Sequence, residues 1–167
     1  MSSFTRFNAS LKIEYLGFAP RPDSVGVVLE REYWRVLESF SFYLKDDQKE
    51  FVIIPMHFVT DGASIPRLFW PLLPRWGQYG QAAVLHDYLI DHGIITEFHE
   101  ADSSVTTRMA SRSEARRIFN SAMKVLDVPK EKRRLIIAGV WAWDVLCLPV
   151  YKFVKKFVDK QQQPTPQ

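Results

Sequence analysis

The chain has 167 residues, 47% of them hydrophobic and 25% charged, an ordinary balance for one globular domain with its own core. Its formal net charge is +3 and its sequence pI about 9.0. A dedicated nucleic-acid binder carries a stronger, more localised excess of Lys and Arg, so nucleic acid is disfavoured as a partner. Cys147 is the single cysteine, which excludes an internal disulfide and, inside an apolar run, reads as a small buried hydrophobe.

Residues 1 to about 55 read as β structure. Ser10 to Leu16 alternates Leu11, Ile13 and Tyr15 against Lys12 and Glu14, the period-two pattern of a half-buried strand. Gly17 to Ser24, with Pro20 and Pro22, reads as a loop, and Val25 to Leu29 as a short β-branched run. Glu32 to Leu44 is rich in Tyr, Trp, Val and Phe, with Phe40, Phe42 and Leu44 on one face. Lys45 to Lys49 is a polar turn, Glu50 to Ile54 pairs back as the second strand of a hairpin, and Pro55 stops it. An antiparallel meander is the economical reading.

From Gly77 the period becomes helical. Ala82, Ala83, Leu85, Leu89 and Ile90 form a stripe, and Gly93 is a natural stop. Thr96 to Ala110 is polar without a clear period and is expected to be an exposed loop. Ser111 to Glu114 fits a capping box, in which the Ser111 hydroxyl caps a helix and Glu114 reaches back. That helix is expected to bury Ala115, Ile118, Phe119, Ala122, Met123 and Leu126 and to show Arg116, Arg117 and Lys124. Asp127 and Pro129 mark the next helix start. It opens on a basic turn, Lys130 to Arg134, read as a solvated face, and then turns apolar almost all round, as a central helix does. Residues 161–167 contain no apolar side chain and are expected to be a disordered tail. The whole is therefore expected to be α+β: an N-terminal antiparallel β-meander against C-terminal helices, one domain over residues 1–160.

Leu135 to Tyr151 falls short of the roughly 20 apolar residues a membrane span needs and carries Asp144 and Pro149; a buried core helix is the better reading. Residues 150–158 are basic and amphipathic, which leaves peripheral membrane contact as a minor alternative. The first residues have neither the apolar core nor the cleavage site of a secretory signal, so none is expected.

Potentially reactive side chains gather between Val59 and His92. In V-T-D-G-A-S-I-P, Gly62 supplies backbone freedom for a tight turn, and Asp61 and Ser64 can bond neighbouring amides. Ser64 lacks the strand-to-helix elbow of a serine nucleophile. His86 lies on the apolar stripe of its helix, so its ring nitrogens face the protein and need partners. One reading makes His86 a metal ligand or general base, with Asp61 and Asp87 as ligands or orienters. The structural reading has His86 bonding across to the Asp61 turn and locking helix to sheet. His92 and His99 could complete a metal shell, but the spacing matches no standard zinc pattern.

F-V-T-D-G-A-S-I-P-R, then A-A-V-L-H-D-Y-L, then S-E-A-R-R-I-F-N-S-A-M-K-V-L-D-V resembles the bacteriophage and prophage proteins grouped as domain of unknown function 1353. The resemblance runs from the aromatic strands near Trp34 to about Trp143. It implies a phage gene product of roughly this size, often encoded among late structural or lysis genes, without a settled activity. The family's recurring polar residues map onto Asp61, Ser64, His86 and Asp87. The third motif departs from the pattern: this chain has Glu114-Ala115-Arg116 where Glu-Ala-Asp is usual. Arg116 would repel a metal at that point unless Glu114 substituted, or it could pair with Asp87.

The expectation is a non-catalytic virion, tail-associated or assembly component, located in the phage virion or host cytoplasm. Its partners would be phage structural proteins, met through an aromatic surface near Trp70, Trp76 and Tyr79. The alternative is a small hydrolase of cell-wall or nucleotide material. It would use His86, Asp87 and Asp61 as catalytic residues or as ligands of a divalent metal, with Ser64 as a substrate contact.

Overall fold

A computed structural model of the chain describes residues 6–20, 30–45, 47–62, 77–142 and Val145. The hairpin at its centre pairs β4 (Phe40–Tyr43) with β5 (Glu50–Ile54), Phe42 facing Val52 and Phe40 facing Ile54. Alternation buries Phe40, Phe42, Val52 and Ile54 on one face and leaves Ile53 on the other. Burying side chains of this size contributes about 1.5–3 kcal/mol each. Gln48, at φ 54°, and the bond from Lys49 N–H to Asp47 Oδ1 (3.1 Å) shape the polar turn.

This hairpin belongs to a five-stranded sheet ordered β1-β4-β5-β7-β8, with β1 at Arg6–Phe7, β7 at Ile94–His99 and β8 at Ser104–Met109. A second sheet, ordered β2-β3-β6, comprises Ile13–Pro20, Glu30–Val36 and Val59–Thr60. All pairings are antiparallel. The aromatic run from Glu32 to Leu44 is thus two strands in two sheets, broken after Val36. Val36 N–H donates to Phe58 O at 2.9 Å and Leu37 N–H to Lys12 O at 2.9 Å.

Among the described residues three helices join the sheets in this α+β domain: α1 (Gly80–Asp91), α2 (Arg112–Val125) and α3 (Lys130–Ala142). The central one is α1, not α3. It lies between β5 and β6 on one side and α2 on the other, so Val84 is buried along with the expected stripe. By contrast α3 packs on α2, and its Leu135 and Trp141 are exposed. Helix α2 buries Ala115, Ile118, Phe119, Ala122 and Met123, as its pattern requires. Gly93, at φ 66°, follows the α1 C-cap His92 and turns the chain into β7.

Two stretches expected to be loops are strand. Gly17 to Pro20 continue β2 past a bulge between Tyr15 and Gly17, where Gly17 takes φ 105°. Ile94 to Met109 form the β7–β8 hairpin instead of an exposed loop. Its Thr and Val residues favour strand, but only Ile95 and Thr96 are buried, so no apolar alternation betrays it. Val25–Leu29, Ser64, Trp70, Trp76, Cys147, Pro149 and the 161–167 tail lie outside the described residues.

Candidate functional site

The turn after β6 and helix α1 meet where the motifs predict, with Asp87 of the helix bonded to Thr60 of the strand. Thr60 is buried in β6 opposite Trp34. Its hydroxyl donates to Asp87 Oδ2 at 2.5 Å and accepts the Gly62 N–H at 3.0 Å. Gly62 adopts φ 72°, the left-handed conformation the turn needs. The hydroxyl that closes the turn is therefore Thr60's, two residues before the glycine, and it bonds helix to turn through Asp87. A hydroxyl polarised by a carboxylate accepts more strongly, so the Gly62–Thr60–Asp87 chain is cooperative.

Apolar packing sets this geometry. Phe58, two residues before Thr60, packs edge-on against Tyr88 (5.4 Å between centroids) and against His92 (5.8 Å). Since Tyr88 follows Asp87 directly, the contact aligns the helix with the turn. His92 is thereby engaged at the end of α1, also stacking on Tyr88 at 4.9 Å. His99 lies on β7, its Nε2 2.8 Å from Thr106 Oγ1.

His86 turns toward α2. Its ring lies 4.8 Å from that of Phe119 at an interplanar angle of 30°, and its Nε2 is enclosed. Arg116 is one helical turn before Phe119, on the same side of α2. Asp61, His86, Asp87 and Arg116 are all half-buried. Among the described residues no three His, Cys, Asp or Glu side chains form a group that could hold a metal ion.

Glu114 is committed elsewhere. Ser111 caps α2 by accepting the Glu114 N–H at 3.2 Å, but the Glu114 carboxylate does not reach back as a capping box requires. It grips Arg108 of β8 with both oxygens, at 3.0 and 2.9 Å. Arg108 also donates to Glu97 Oε1 at 2.5 Å and Glu50 Oε2 at 2.9 Å, and Lys45 pairs with Glu50. This cluster ties β5, β7, β8 and α2 together. The Lys45 ammonium and the Arg108 guanidinium hold the Glu50 carboxyl below its usual range. The carboxylates, Glu114 foremost, raise the Arg108 pKa. Sequence reasoning missed the cluster because its partners come from four separate elements.

Two further positions differ from expectation. Tyr79 is fully buried, its phenol pushed up to about 12 by burial, with Lys132 Nζ 5.2 Å from its ring centroid. It is core, not an interaction surface. Arg133, expected on a solvated face, lies one turn before buried Ile136; its Nε and Nη1 are enclosed and, among the described residues, without a hydrogen-bond partner.

The fold and site define an α+β domain whose polar motifs join a strand-closing turn to a central helix. The chain belongs to the family described as Protein of unknown function (DUF1353), whose pattern spans residues 34–140. That span contains the 59–62 turn, α1 and α2. No curated protein and no solved structure matches the chain. No helix among the described residues is long and apolar enough to cross a membrane.

Proposed function

We propose that this chain is a non-catalytic component of a phage particle or of its assembly, and that its Asp61–His86–Asp87 region organises the fold. The phage context comes from the motif resemblance. The non-catalytic reading is carried by one observation: Asp87 spends an oxygen on the buried Thr60 hydroxyl, which in turn holds the Gly62 N–H. The bond gives Asp87 a structural task that needs neither substrate nor ion. The stacking of His86 on Phe119 and the commitment of Glu114 to Arg108 support the same reading. Phage structural proteins are its partners.

The alternative, a hydrolase using His86, Asp87 and Asp61 with a divalent metal and Ser64 as substrate contact, draws on the convergence of the 59–62 turn with α1. Metal analysis of the purified protein beside His86→Ala separates the two. The structural reading expects no stoichiometric metal and a variant of lowered melting temperature. Stoichiometric metal in the wild type, lost from a still-folded His86→Ala, overturns it.

A further inference from the structure

We propose that β8 is a self-association edge, to which a second copy of the chain adds its own β8 antiparallel, across a two-fold axis at Thr107.

The backbone dictates the pairing. Ala110 N–H donates to Gly93 O at 2.7 Å, and on the other side of β7 Phe98 N–H donates to Lys49 O at 2.8 Å. Antiparallel ladders alternate, so Ser104, Thr106 and Arg108 turn their amides and carbonyls to β7. Val105, Thr107 and Met109 turn theirs away from it. Among the described residues β8 pairs with β7 alone. Val105 is 61% and Met109 72% exposed.

Natural sheet edges are blunted by lysine, proline, bulges or brevity. This one has none of these over its six residues: S-V-T-T-R-M holds neither Lys nor Pro, and the register from Ile94–Met109 to His99–Ser104 shows no shift. Its one charge, Arg108, points inward as the guarding charges of other edges do, but here it is already neutralised by Glu50, Glu97 and Glu114.

The edge is also complementary to itself. A two-fold axis at Thr107 sets Thr107 against its own copy and Val105 against the second copy's Met109. That makes roughly six backbone hydrogen bonds, with one Thr–Thr and two apolar cross-strand pairs. The outward face of the sheet supports the same partner. Ile53, Ile94, Phe98, Val105 and Met109 are all exposed on it, and the registers place no charged side chain there from β4 to β8. Pairing would extend this face into one ten-stranded surface. The inference does not depend on the proposed function, although self-association suits a component of a particle.

Sedimentation velocity of the full chain over a concentration series tests it. The wild type is expected to pass from a 19.5 kDa monomer to a dimer. Thr107→Pro removes only an outward N–H and leaves the β7 ladder intact. It is expected to weaken dimerisation at least about tenfold while keeping the wild-type circular dichroism; Thr107→Lys gives the same result should the proline variant unfold. Thr107→Cys, in a Cys147→Ser background, is expected to link between copies with a thiol crosslinker of about 5 Å reach, because facing Cα atoms lie about 5.5 Å apart. Val105→Cys is not, because its symmetry mate lies about 13 Å along the strand. A wild type monomeric at every concentration, a dimer unmoved by both Thr107 variants, or equal crosslinking at the two positions overturns the proposal. Pairing with a different protein's strand would appear as the first of these.

Discussion

The Thr60 hydroxyl stands 2.5 Å from Asp87 Oδ2, and this bond joins the strand-closing turn to the central helix. Both halves of the motif pair therefore depend on a residue that neither histidine nor aspartate chemistry would single out. Replacing Thr60 with Val keeps shape and volume, removes the donor to Asp87 and deprives Gly62 N–H of its acceptor. The expected loss is about 2–3 kcal/mol in urea unfolding. Thr60→Ser, which keeps the hydroxyl, is expected to lose less than about 1 kcal/mol.

Arg108 gathers the carboxylates of Glu50, Glu97 and Glu114 from three other elements. Arg108→Met leaves those carboxylates facing one another without their cation. At neutral pH and low salt the expected cost is about 1–3 kcal/mol, reduced by screening because the Arg108 side chain is 34% exposed. The pH dependence has a fixed sign. Glu50 titrates below its ordinary 4.5 in the folded chain, so the unfolded chain binds more protons over that interval and stability rises with pH there. The contribution is complete above pH 4.5 and is lost as the pH falls through the depressed folded value. Melts from pH 3 to 7 are expected to show a smaller acid-side slope for Arg108→Met than for the wild type.

At the alkaline end Tyr79 acts in the opposite sense. Its phenol ionises near 12 in the folded chain against 10.0 unfolded, because burial disfavours the phenolate. Between those values the folded chain holds the proton that the unfolded chain has lost, so stability falls as pH rises. Burial raises the Tyr88 phenol as well, so spectrophotometric titration is expected to show late-ionising tyrosines, one of them lost in Tyr79→Phe, and that variant is expected to flatten the decline in melting temperature between pH 10 and 12.

The enclosed guanidinium of Arg133 predicts a gain on removal. Its Nε and Nη1 are enclosed without a hydrogen-bond partner among the described residues, and an unmet buried donor is destabilising. Arg133→Met preserves the length and removes the charge; a gain of about 1 kcal/mol in thermal or urea unfolding is expected. A loss of the same size would mean that the guanidinium has an acceptor in solution.

Where periodicity was strong, the fold was legible. The Phe40–Phe42 and Val52–Ile54 alternation placed the central hairpin, the Ala82–Leu89 stripe placed α1, and Ser111 placed the start of α2. Weak patterns misled. The β7–β8 strands bury little, so they carried no apolar alternation, and α3 looked central because its composition says nothing about which neighbours it has. Sequence located the turn and the helix that meet, and it singled out Asp87. The Thr60 partner of Asp87 was not legible, because an inward-facing threonine on β6 carries no reactive signature and the rotation of α1 is set by the Phe58–Tyr88 contact. The Arg108 cluster was not legible, since Arg108 and its partner Glu50 are 58 residues apart in the chain.

A double-mutant cycle on Thr60→Val and Asp87→Ala, followed by urea unfolding of the purified chain, tests the central claim most directly. If this bond holds helix to turn, each single change is destabilising and the double variant loses clearly less than their sum, with a coupling of about 1–3 kcal/mol. Additivity to within about 0.5 kcal/mol, with both single variants near wild-type stability, would contradict a fold-organising role for the pair.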